Sequence, residues 1–168
     1  EESNHSNVPD TATCMACHTG AGDAGYLNAS LWASHKENVH LTRVRQAYAT
    51  GEPIPWARIH KVPDYAHFNH AVHVNAGISC YSCHGRIDTH EVARQVHSLS
   101  MAWCLECHRE PEEFVVAASD LDPSKPRITA LGEVSSLLAR SDYAETAGAA
   151  LVMERQLQPP QHCGACHY

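Results

Sequence analysis

The pentapeptide C-x-x-C-H occurs four times in this chain, at residues 14–18, 80–84, 104–108 and 163–167, and the four copies use all eight cysteines. Each copy sets two thiols and an imidazole within five residues, so whatever the thiols and imidazoles hold must be met at four separate places along the sequence. Eight cysteines could form four disulfides, and the pairs Cys80/Cys83 and Cys104/Cys107 have roughly the spacing of a zinc ribbon. Neither arrangement explains the same two-residue gap in every pair, or a histidine directly after every second cysteine. The pattern is the attachment signature of a c-type haem, with two thioether bonds to the porphyrin edge and the imidazole on the iron. Cys14, Cys17, Cys80, Cys83, Cys104, Cys107, Cys163 and Cys166 are therefore expected to carry four covalent haems c, with His18, His84, His108 and His167 as iron ligands.

Composition agrees. Only two phenylalanines occur in 168 residues, and the chain is poor in apolar volume for one that must build a core. Four porphyrins would supply that volume, so the fold class expected is a multihaem cytochrome c. It would be mostly loop with a few α-helices and little or no β-sheet, its core built around the haems rather than around packed side chains. Without haem such a chain should be largely unfolded. The formal charge of −7 excludes the propionates, which add to it, and an acidic surface argues against nucleic acid as a partner.

No run approaches the roughly 20 apolar residues that span a bilayer; residues 114–118 and 147–153 come nearest and are too short. The sequence begins Glu1-Glu2, the start expected of a processed mature protein or an excised fragment. Because haem is attached through thioethers outside the cytoplasmic membrane, the periplasm or the cell exterior is the expected compartment.

One domain over residues 1–168 is expected. Residues 1–110 hold haems one to three, 111–158 form a helical insertion, and 159–168 carry haem four. Residues 30–50 read as a helix with Leu31, Val39, Val44, Ala47 and Tyr48 as its apolar stripe, stopped by Gly51 and Pro53. Prolines then mark residues 53–63 as an extended loop, and residues 119–127 read as a turn-rich connector. Residues 129–157 read as helix, with Leu131, Val134, Leu138, Leu151 and Val152 apolar and Pro159-Pro160 as the stop.

Each haem iron takes a sixth ligand, and ten of the 14 histidines lie outside the motifs. His70 and His73 are the strongest candidates. Three residues apart on a helical turn, they project from one side but are offset along the axis. One can then reach the haem at Cys80/Cys83 and the other a neighbouring haem. His60 is the third candidate and His5 the fourth. His35, His40, His67, His90, His97 and His162 read as surface residues or propionate partners, with His97 able to displace one of the four. Met101 is a lesser candidate that would raise an iron's potential.

At these residues a family resemblance emerges. The segment GEPIPWARIHKVPDYAHFNHAVHVNAGISCYSCHGRID, followed by SLSMAWCLECHREPE, resembles the multihaem cytochrome c subunit of alternative complex III, a bacterial quinol-oxidising assembly. NHSNVPDTATCMACH and the terminal PPQHCGACHY are similar to the same subunit. The likeness covers roughly residues 3–18, 51–113 and 158–168. It implies a haem chain carrying electrons from quinol oxidation toward a periplasmic acceptor, and supports His5, His60, His70 and His73 as axial ligands. The family typically has five haems; its first haem block, an earlier Phe-x-His-x-x-His with C-x-x-C-H, and its membrane anchor have no counterpart here, nor do residues 114–157 have one in the family.

The function expected is electron transfer through four haems, by a soluble carrier or a subunit bound in a membrane complex, with redox proteins as partners and no enzymatic site of its own. A second reading follows from the haem motifs at the two ends of the sequence. His5 of one copy could complete an end haem of another, and a head-to-tail contact of that kind builds a filament of this chain. Catalysis at haem is the weakest reading, because all four motifs end in histidine and distal candidates outnumber the irons.

Overall fold

The computed structural model of the chain describes residues 8–18, 38–117 and 130–168. They are helix and loop without a strand, and the one isolated antiparallel bridge among them joins Ile78 to Val115. The mostly helix-and-loop architecture with little β-structure therefore holds for the described residues. They fall into two compact units, divided between Ala57 and Arg58.

In the first unit, α1 spans Thr11–His18 and carries the first motif at its C-terminal end. Asp10 caps it: its Oδ1 accepts from the Thr13 amide at 2.8 Å and the Thr13 hydroxyl at 2.9 Å. Those bonds, the amide's first, hold the Asp10 carboxyl below its ordinary range. A 3-10 turn, Val39–Leu41, leads into α2, Thr42–Thr50. The helix expected over residues 30–50 is thus shorter where it is described, and residues 30–37 lie outside the described residues. Gly51 ends α2 in the left-handed region at φ +72°, which a residue without Cβ adopts at no steric cost. Of the expected stripe, Ala47 is buried while Val39 and Tyr48 are exposed. Met15 and Ala47 are the only buried apolar side chains among this unit's described residues.

The second unit begins as the expected proline-punctuated loop and turns helical at α3, His70–Ala76, where Asn69 Oδ1 accepts from the Val72 amide at 3.4 Å. Gly77, at φ +99°, closes α3 with two reversed bonds, Ile78 N to His73 O at 3.0 Å and Gly77 N to Val74 O at 3.1 Å. After the three-residue link Gly77–Ser79, α4 covers Cys80–His84, the second motif from end to end, with Ser79 as its cap. The third motif ends α5, Met101–Arg109, which Ser100 caps through the Trp103 amide at 3.3 Å. Helix is the conformation that suits the motif: residues i, i+3 and i+4 share a face, so both thiols and the imidazole point the same way. The fourth motif starts instead in a 3-10 turn, Cys163–Ala165.

The segment expected to be one helix over 129–157 is α6, Leu131–Leu138, then a π-helical turn, Ala144–Gly148, running into α7, Ala149–Glu154. Residues 139–143 break it, because Tyr143 turns inward and donates its hydroxyl to Val115 O at 3.0 Å. Gly148 packs so closely on the Glu112 backbone that a Cβ would lie 2.0 Å from its carbonyl oxygen. Here the structure holds a side-chain core that composition did not suggest. Val116, Ala130, Val134 and Tyr143 form one buried cluster, and Val115, Ala117 and Leu151 another. Leu138 packs on the first and Val152 on the second, partly buried. The connector expected at residues 119–127 lies outside the described residues. No helix among the described residues is long and apolar enough to cross a membrane.

Candidate metal centre

The structure engages the Nδ1 atom of each motif histidine whose side chain is described. His108 Nδ1 lies 2.7 Å from Pro160 O, and His167 Nδ1 lies 2.9 Å from Tyr65 O. A carbonyl oxygen can only accept, so the proton sits on Nδ1 and Nε2 keeps the lone pair that a metal needs. His73 is held the same way, its Nδ1 2.8 Å from Asn69 O one helical turn back. Metal-ligating histidines characteristically donate the second ring N–H to such a partner, which fixes both tautomer and ring orientation. His84 differs: its Nδ1 lies 3.1 Å from His60 Nε2, with the rings edge-on at 82°.

Two imidazole pairs result. His73 stands 6.1 Å from His108 between ring centroids, with the planes tilted by 38°. An imidazole nitrogen binds a metal at about 2 Å, so two rings astride one metal ion stand roughly 6 Å apart. The His73–His108 pair has that spacing as it stands. His60 and His84, 4.3 Å apart, are closer than that, and it is Nδ1 of His84 that His60 meets. His70 lies within electrostatic reach of His84 and meets Phe68 edge-on at 4.7 Å, while His73 stacks on the same phenyl ring at 4.4 Å.

The last motif is tied down on both sides. Gln161 Nε2 donates to His108 O at 3.4 Å, and the His67 amide donates to Cys166 O at 2.8 Å. His67 also stacks on Tyr168 at 4.4 Å. Main-chain and ring contacts thus draw the second-unit motifs and the histidine-bearing stretch 60–73 together.

Burial governs the charge states. It pushes the Cys83 thiol up to about 12, helped by Cys107, Cys104 and Cys80, and the Cys107 thiol to about 11, helped by Cys104 and Glu113. Cys104 is also raised, by burial and then by Cys166. Protonated thiols of this kind are poor nucleophiles. Burial likewise lowers His73 and His84 below the ordinary imidazole value. They therefore stay neutral and able to ligate near pH 7. Ile59, Tyr65, Phe68 and Val72 are exposed beside these imidazoles. An apolar surface of this kind is one a porphyrin face would cover.

These features fit haem. The residues that would hold it are Cys80, Cys83 and His84, then Cys104, Cys107 and His108, then Cys163, Cys166 and His167, with His60, His70 and His73 alongside. For the first motif Cys14 is described, whereas the side chains of Cys17 and His18 lie outside the described residues, as do His5 and His35. The seven described cysteines are free thiols, and no three metal-ligating side chains among the described residues converge as a cage for a bare ion.

The remaining candidates are placed as follows. Met101 opens α5 and is exposed, as are His40 and His162. His97 stacks on Trp103 at 5.1 Å. His90 and His97 line a cleft of about 730 Å³ with Tyr81 and Arg94, and the buried Nδ1 of His90 has no hydrogen-bond partner among the described residues. The residues that sequence reading missed are Asn69, Tyr65 and Pro160. They act through backbone carbonyls, which no side-chain pattern advertises. The chain matches no protein-family profile and no curated protein sequence.

Proposed function

We propose that this chain is a four-haem c-type cytochrome that passes electrons between closely spaced haems outside the cytoplasm. The observation that carries the reading is the combination of four C-x-x-C-H motifs with imidazoles whose Nδ1 atoms are held by backbone carbonyls, leaving Nε2 for iron. Haem, when bound, supplies an iron that takes up and gives back one electron.

The chain's own residues do the rest. The cysteine pairs would hold the porphyrin edges; His108 and His167 present Nε2 from rings oriented by backbone carbonyls, and His84 is the histidine of the remaining described motif. His73, 6.1 Å from His108, and His60, beside His84, are the groups we assign as the further ligands that would hold haem there. His70 would serve a neighbouring centre, and His5 is the remaining ligand candidate. Imidazole on both sides favours lower potentials than an imidazole–thioether pair. The buried surroundings and the hydrogen bonds to Asn69, Tyr65 and Pro160 tune ligand basicity. The likeness of residues 51–113 to the alternative complex III cytochrome supports the same assignment. It also points to redox proteins, free or in a membrane complex, as partners.

The test is the mass of the native protein after denaturation, together with its optical spectrum when oxidised and reduced. Four haems should stay attached, with low-spin bands throughout and no site that binds carbon monoxide. A chain recovered with free thiols or disulfides and no bound chromophore would sink the proposal.

A further inference from the structure

The segment 130–157 has no part in haem attachment, yet it reaches the helix that carries His70 and His73. From the end of α7, the Arg155 side chain extends to the C-terminus of α3, where its Nη1 donates to Ala76 O at 2.9 Å and to Val116 O at 3.3 Å. Gly77 makes room for it. A Cβ there would fall 1.8 Å from Nη1 and 2.9 Å from Val116 O, so the guanidinium occupies space that any other residue would fill.

A helix leaves its last carbonyls without internal partners, and a cation at that end is favoured by the backbone dipole as well. Arg155 meets both demands at the end of a helix only seven residues long. The neighbouring backbone is fixed to the same strip of chain. Val116 N donates to Gly77 O at 3.0 Å, Ile78 bridges to Val115, and Ser82 Oγ reaches Phe114 O at 3.5 Å. The link at Gly77–Ser79 between α3 and α4 therefore cannot bend without breaking contacts to the packed core. That link sets where His70 and His73 stand relative to Cys80, Cys83 and His84.

We infer that Arg155 is a positioning residue: it locks the C-terminus of the His70–Ala76 helix onto the 115–151 core and so fixes where His70 and His73 present their imidazoles to the irons. The inference rests on the proposed haem ligation, and it gives the inserted segment a role in setting redox properties beyond filling the core. Its reach is specific. The constraint acts on the centres served by α3 and leaves the motif at residues 14–18, in the other unit, untouched.

The test compares native holoprotein with Arg155→Met and Arg155→Lys, after mass measurement confirms four attached haems in each. Arg155→Met should shift the potential of one or two haems and give a minor high-spin band, with the remaining potentials unmoved. Arg155→Lys, which keeps a cation at the helix end, should restore much of the native spectrum. Gly77→Ala expels the guanidinium by another route and should reproduce the Arg155→Met pattern, which keeps the test open if that variant folds poorly. Lower thermal stability with every potential and the spin state unchanged would overturn the inference and leave Arg155 merely structural. Wild-type protein without haem would instead overturn the ligation on which it rests.

Discussion

His73 and His108 lie 6.1 Å apart between ring centroids, although 35 positions separate them in the sequence. Each ring is oriented by a different carbonyl, Asn69 O for one and Pro160 O for the other. Two imidazoles oriented independently would leave a metal little to reorganise on entering.

The first prediction separates the two pairs. His73→Ala should turn one iron high-spin while all four haems remain attached, and His60→Ala should do the same to a different iron. The double variant should then show two high-spin irons per chain by electron paramagnetic resonance. If His60 acts only as the hydrogen-bond partner of His84 Nδ1, its removal will shift a potential and leave every iron low-spin. That result would take His60 off the ligand set.

Much of this centre was legible because helical spacing is local. His70 and His73 lie on a helix as their three-residue interval requires, and residues 80–84 form one as well. Gly51 ends α2 where its freedom from a Cβ predicts. The carbonyls of Tyr65 and Pro160 were not legible, because main-chain partners depend on where distant loops come to rest. The break at 139–143 was hidden for a related reason. Tyr143 looks like a surface tyrosine until a buried acceptor, Val115 O, is supplied from 28 residues away.

That acceptor yields a stability prediction. Tyr143→Phe keeps the ring but removes the donor, stranding a buried carbonyl. The cost should be about 1–3 kcal/mol, read from denaturant unfolding of the holoprotein. Haem content and spectrum should not change. A loss below a few tenths of a kcal/mol would mean that Val115 O finds another partner.

Asp10 gives a pH dependence with a definite sign. Its carboxyl is lowered by the Thr13 amide and hydroxyl, so its folded value lies below the unfolded one of about 3.9. The stabilisation is therefore complete above that range and disappears as pH falls through the folded value. Wild type should melt above Asp10→Ala at pH 7, and the gap should narrow as pH falls through the folded carboxyl value. A gap that persists in acid would show that the carboxylate's charge is not what caps α1.

Haem removal should act unequally on the two units. Among the described residues, the unit before Arg58 buries only Met15 and Ala47, whereas the other buries Val115, Val116, Val134, Tyr143 and Leu151 among its core residues. Ordering the backbone of α1 and α2 costs about 1–2 kcal/mol per residue, against which the described residues of that unit set two buried apolar side chains. If the proposed haem is bound, the first unit would draw on its porphyrin as a core, whereas the second has a side-chain nucleus of its own. Replacing Cys14 and Cys17 together with serine should abolish hydrogen-exchange protection in residues 42–50 while α6 keeps most of its own. Full protection of α2 in that variant would show that side-chain contacts alone suffice to hold it.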